Sequence, residues 1–229
     1  MFSSQSLHRD SNAHIFQPSP TYISLMKMAR VMFAAVVTLA LLVAAQASDP
    51  ELTSDFFVAP GVDKATLTGD YFTSQVFRDG VNVVAPAKIG VKRITSDSFT
   101  VLTGLGVSSA MIKYLPGGIN PHHTHPRGTE VLLVLEGELS VGLVDTTNKL
   151  FTKTLYQGDV FVFPKGLVHY QINMSSRPAC VYVAFSSSNP GTVSIPVTLF
   201  GSGIPDNVHT AAFKVNNQVV DKLQAPFNK

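Results

Sequence analysis

His123 and His125 stand two residues apart. On a β-strand side chains two apart share a face, so both imidazoles can aim at one point. A Pro126–Gly128 turn follows, and Glu130 then opens an apolar run from which it can return a carboxylate to that point. A fourth candidate, His169, lies in Val168-His169-Tyr170-Gln171-Ile172-Asn173. There Val168, Tyr170 and Ile172 form one face, and His169, Gln171 and Asn173 form the other. A polar strand face must look into something polar or it is an error of patterning. The other histidines read as bystanders. His122 alternates away from the face of His123, His8 and His14 fall in a leader, and His209 is expected at the surface near a C-terminal helix.

The elements that must hold these side chains read as short strands. Candidates are 108–115, 130–144, 150–156, 159–163, 168–174, 180–186 and 192–199, rich in Val, Leu, Phe and Tyr. They are bounded by Pro116-Gly117-Gly118, Gly158-Asp159, Pro164-Lys165-Gly166 and Asn189-Pro190-Gly191. Gly117 and Gly158 are read as turn residues that need positive φ. Strands at this spacing, without helical patterns between them, argue for an all-β sandwich or barrel rather than βαβ units. Phe161 and Phe163 are expected in the core. From about residue 205 the pattern changes: Asp206 could cap one short helix, and Asn217–Leu223 reads as another.

The N-terminal fifth is a different kind of sequence. Residues 31–45 form the only long apolar run, short of the roughly 20 residues a bilayer-spanning helix needs. The run follows Lys27 and Arg30 and ends in Ala45-Gln46-Ala47, the pattern of a secretory signal peptide. The expected organisation is an upstream extension over 1–25, a signal peptide over 26–47 and one domain over 48–229. The formal charge of +2 comes from that leader, with Arg9, Lys27 and Arg30 against Asp10. The remainder is formally neutral, which excludes nucleic-acid binding driven by bulk electrostatics. With 45% hydrophobic and 14% charged residues among 229, a sizeable core is available. Cys180 is the only cysteine, so no intramolecular disulfide and no cysteine-based zinc finger can form.

Two stretches resemble the boxes of the cupin superfamily. Gly117, His123, His125, Glu130 and Gly137 fit Gly-x5-His-x-His-x4-Glu-x6-Gly, and Gly158, Pro164, His169 and Asn173 fit Gly-x5-Pro-x4-His-x3-Asn. Within it, His125-Pro126-Arg127, Gly137-Glu138-Leu139, Asn189-Pro190-Gly191 and Leu199-Phe200-Gly201 are similar to the plant germin family, over nearly all of 48–229. The resemblance implies a jelly-roll β-barrel with a short C-terminal helical segment. It also implies one metal per chain, held by His123, His125, Glu130 and His169. Three imidazoles and a carboxylate on an octahedral ion leave two positions for water, substrate or dioxygen. That set suits manganese or iron better than zinc, and the family points to manganese. Asn120, Gln171 and Asn173 are candidates for polar support around the ligands.

The same resemblance implies a secreted, apoplastic protein of plant defence or cell-wall oxidative chemistry, assembled as a homohexamer of three dimers, with cell-wall components as further partners. Val208, Phe213, Val215, Val219, Val220 and Leu223 make the tail too apolar for an unpaired surface. Among activities, germins oxidise oxalate and some germin-like proteins dismutate superoxide. The oxalate oxidases use two asparagines on the substrate. One is kept as Asn120, and the position of the other is Ala110. Weak or absent oxalate oxidation is therefore expected, with superoxide dismutation the better fit to any turnover. The alternative is a non-catalytic, metal-stabilised structural or small-ligand-binding cupin. Germins also carry two cysteines near the mature N-terminus. Here those positions are Phe57 and Phe72, and an aromatic contact between them is expected in place of the staple. Asn173-Met174-Ser175 is a glycosylation sequon on the strand face that carries His169.

Overall fold

The computed structural model describes residues 19–44 and 49–227. The chain divides into two compact units, residues 1–46 and 47–229. The first contains α1 (Pro20–Ala44), and no helix among the described residues is long and apolar enough to cross a membrane. The helix begins ahead of Met26, in the stretch expected as an upstream extension. Residues 1–18 and the Ala45-Gln46-Ala47 site lie outside the described residues.

The second unit carries ten strands: β1 (Ile89–Ile94), β2 (Ser108–Tyr114), β3 (Ile119–Thr124), β4 (Glu130–Glu136), β5 (Glu138–Val144), β6 (Leu150–Tyr156), β7 (Val160–Phe163), β8 (Val168–Ile172), β9 (Ala179–Phe185) and β10 (Val193–Ser194). Three helices follow, α2 (Ile195–Phe200), α3 (Asp206–Phe213) and α4 (Asn217–Gln224). The strands form two antiparallel five-stranded sheets, ordered β1-β2-β9-β4-β7 and β10-β3-β8-β5-β6. This is the expected all-β jelly roll.

Strict alternation decides what the sheets enclose. Ala110, Ile112 and Tyr114 of β2, Leu132 and Val134 of β4, Leu139 and Val141 of β5, and Val181 and Val183 of β9 are buried in one cluster. Phe163 lies in the same cluster and Phe161 packs against it, as read from sequence. The run 130–144 is two strands because Gly137 sits between them at φ +77°, where a Cβ would meet the Pro178 carbonyl oxygen at 2.5 Å. Gly117 and Gly158 likewise have positive φ, at +73° and +92°.

Two elements and one residue differ from expectation. Segment 192–199 is β10 followed by α2, because Pro196 cannot donate to a strand ladder but fits the first turn of a helix. The helical tail therefore begins at Ile195 rather than near 205. β1 escaped notice because Gly90, Lys92 and Arg93 interrupt its apolar alternation. His209 is not at the surface: it is 2% exposed, packed between Phe200 and Phe213 at centroid distances of 5.1 and 6.1 Å.

Candidate metal centre

The candidate ligands reach one point from both sheets. His123 on β3 pairs in register with His169 on β8, in one sheet. Glu130, the first residue of β4, comes across from the other. β3 contains Pro121, and its register with β8 shifts between Asn120 and His123, as a strand proline with no N–H to donate allows. His125 lies one residue beyond β3. All four side chains are buried, at 1–5% exposure, and their ligand atoms lie within 4.8 Å of one another. His169 and Gln171 face inward from β8 as the polar-face reading requires, while His122 faces outward against Tyr170, with centroids 5.4 Å apart.

Each imidazole is oriented through its far nitrogen. Nδ1 of His123 donates to the Pro121 carbonyl at 2.8 Å, that of His169 to the Leu167 carbonyl at 2.8 Å, and that of His125 to the Gly191 carbonyl at 2.5 Å. A carbonyl oxygen only accepts, so the proton of each neutral ring is on Nδ1 and a lone pair is on Nε2. Glu130 Oε2 lies 2.9 Å from His125 Nε2 and 3.4 Å from His169 Nε2. Lone pairs converging with a carboxylate at such distances need a cation, either a proton on each ring or one metal ion shared by all. The donor set therefore fits a metal.

The electrostatics agree. Burial, and then the His169 imidazole, push His123 from the ordinary 6.5 down to about 4, keeping it neutral and able to ligate. Burial alone would raise Glu130, but the His125 and His169 imidazoles, each donating from Nε2 once protonated, outweigh it and hold the carboxyl at about 2. Around the ligands, Gln171 donates through Nε2 to Glu130 Oε1 at 3.1 Å and accepts from the buried Tyr114 hydroxyl at 3.5 Å. The Asn120 amide is 3.5 Å from His123 Nε2. Asn173 does something else: it is wholly buried and its Nδ2 donates to the carbonyls of Tyr114 and Arg177, at 3.2 and 2.7 Å.

Sequence reasoning missed the outer support. Arg127 donates to the Asn189 carbonyl at 2.7 Å and to its Oδ1 at 3.0 Å, and this docks the Asn189-Pro190-Gly191 loop whose carbonyl aims His125. Sequence marks this loop as a turn and as a germin-like spelling, without linking it to His125. Phe163 stacks on His169 at 4.4 Å and Phe185 lies edge-on to His125 at 4.8 Å, so apolar rings wall two of the ligands.

The cupin family profile matches residues 74–221, and Germin-like protein 9-3 of Oryza sativa subsp. japonica is 45% identical over 184 residues, covering 78% of this chain and 86% of that one. The chain belongs to the germin family of cupins. Germin-like protein 1-1 of the same plant is 43% identical over 215 residues, covering 87% of this chain and all of its relative. An oxalate oxidase structure superposes with a TM-score of 0.74 at 36% identity, covering 79% of this chain and 98% of that one. This germin-like chain thus shares its fold with an oxalate oxidase.

Proposed function

We propose that this is a secreted germin-like protein that holds one manganese ion on His123, His125, Glu130 and His169, and that its chemistry is superoxide dismutation rather than oxalate oxidation. The observation that carries this reading is the wall of the cavity beside the cluster. That space is about 30 Å³, lined by Ala110, Asn120, His123, His125, Glu130 and Phe185 among others. It has room for one or two water-sized groups. Ala110, 1% exposed, stands where the family resemblance calls for the second substrate-binding amide.

When bound, manganese would supply two adjacent oxidation states and a Lewis-acidic centre. The chain's own part is orientation and enclosure. The three carbonyl-anchored rings keep their Nε2 lone pairs convergent, Gln171 fixes Glu130, and Phe163 and Phe185 wall two of the ligands. Asn120 is the polar donor nearest His123. A carboxylate oxygen of oxalate that lacks the second donor loses roughly 1–3 kcal/mol, about tenfold to several-hundredfold in rate. Superoxide, being smaller, does not need it. Signal-like residues 26–47 and the germin relatives support secretion to the apoplast, and the exposed apolar residues of the tail support a homohexamer.

Metal analysis by inductively coupled plasma with paired superoxide and oxalate assays tests the reading. One manganese per chain with dismutation and little peroxide from oxalate is expected. Strong peroxide release from oxalate overturns it. So does an Ala110→Asn variant no better on oxalate than its parent.

A further inference from the structure

Arg93 is the exposed residue of β1, yet it lines the cavity beside the candidate ligands. Val91 and Arg93 stand two apart and line the same small cavity as the candidate ligands. Val91 packs against the core, but the next position on that face is an arginine. Arg93 pairs in register with Ala110, so the two residues stand opposite one another on neighbouring strands and both line the small cavity.

A second, larger cavity of about 310 Å³ adjoins the first and shares Arg93, His125, Phe185 and Thr192 with it. Ser109 and Asn189 add polar groups to its lining. Its one acidic residue, Asp97, accepts from Asn189 Nδ2 at 2.9 Å, and Asn189 is itself held by Arg127. The Arg93 side chain makes no hydrogen bond or ion pair among the described residues.

We infer that the outer cavity is a binding site for small carboxylates and that Arg93 is its specificity-determining residue. A planar guanidinium with five donors matches a carboxylate in a forked geometry that no other group in the cavity offers. Carboxylate held there sits on the approach to His125, so the site governs which anions reach the cluster. This goes beyond the proposed dismutation and does not depend on it. It requires binding only, with no bond made or broken.

Calorimetric titration of the metal-loaded protein with acetate, malonate and neutral acetamide tests the site. Acetate and malonate should bind and acetamide should not. Arg93→Gln, which removes the charge but keeps a polar side chain, should weaken both carboxylates about tenfold, the scale of one partly exposed charge-assisted pair. Arg93→Lys should retain part of the affinity and lose it as salt is raised. Metal content should be unchanged in both variants. Equal carboxylate affinity in wild type and Arg93→Gln overturns the inference, as does acetamide binding as well as acetate. Loss of metal in both variants also overturns it, by making Arg93 a structural residue. A protein that binds acetate through Arg93 but dismutates nothing keeps this site and loses the proposed function.

Discussion

The imidazole of His125 is aimed by a backbone carbonyl from a loop 66 positions away, and its carboxylate neighbour by the Gln171 amide. Removing one of four convergent ligands should weaken metal binding severely, so His125→Ala and Glu130→Ala should each emerge with little metal by plasma analysis, against about one per chain in wild type. Gln171→Leu keeps the ligands but leaves Glu130 Oε1 without its donor. It should cost about 1–3 kcal/mol in denaturant unfolding. Acid should act through His123. Its folded pKa lies below that of the unfolded chain, so the unfolded state takes up the proton first as pH falls. The stability that neutral His123 contributes is complete above about 6.5 and is lost between there and about 4. Metal-free protein followed by thermal melts should lose stability across that window, and a flat profile would contradict it.

At the scale of elements, the N-terminal part of the domain is tied down differently from the expected aromatic replacement of a disulfide. Phe72 contacts Phe56 at 4.9 Å and Tyr71 at 5.3 Å, not Phe57. Phe57 contributes its carbonyl instead, accepting from the Tyr71 hydroxyl at 2.7 Å. The swap follows from local geometry: Gly69–Phe72 is one 3-10 turn, and it presents Tyr71 and Phe72 together to the preceding segment. Phe72 is 49% exposed, so Phe72→Ala should cost only about 1 kcal/mol, against about 3–5 for Phe163→Ala in the core. Hydrogen exchange should then show faster opening of residues 55–73 while the sheets stay protected. The sequon belongs to this scale too. Asn173 Nδ2 is spent on two carbonyls at the end of β8, so mass spectrometry of secreted protein should find Asn173 without a glycan.

For the whole molecule, apolar residues remain outside after both sheets close. Val208 and Phe213 of α3, Val219 and Leu223 of α4, and Val131, Val160 and Val162 on β4 and β7 are all 39–59% exposed. Of the tail residues singled out from sequence, Val220 alone is fully buried within the chain. Faces of that kind suit assembly with further copies. Light scattering on residues 48–229 should give a mass near six chains. A monomer at micromolar concentration would contradict the hexamer.

The amino-acid sequence determined the strand-rich jelly roll, the inward polar face of β8 and the identity of the clustered side chains. Each of these follows from a period-two pattern or a short spacing, and such patterns are local. Three other features emerged only in the folded chain. His209 became buried because α2 and α3 bring Phe200 and Phe213 onto it. Residues 195–199 became helix because Pro196 opens a turn there and the chain leaves the sheet. Arg93 became a cavity residue because β1 pairs with β2 in the one register that sets it opposite Ala110. The helix has its local signal in Pro196, whereas His209 and Arg93 have none, since each depends on a partner distant in the chain whose position the folded sheets and helices alone define.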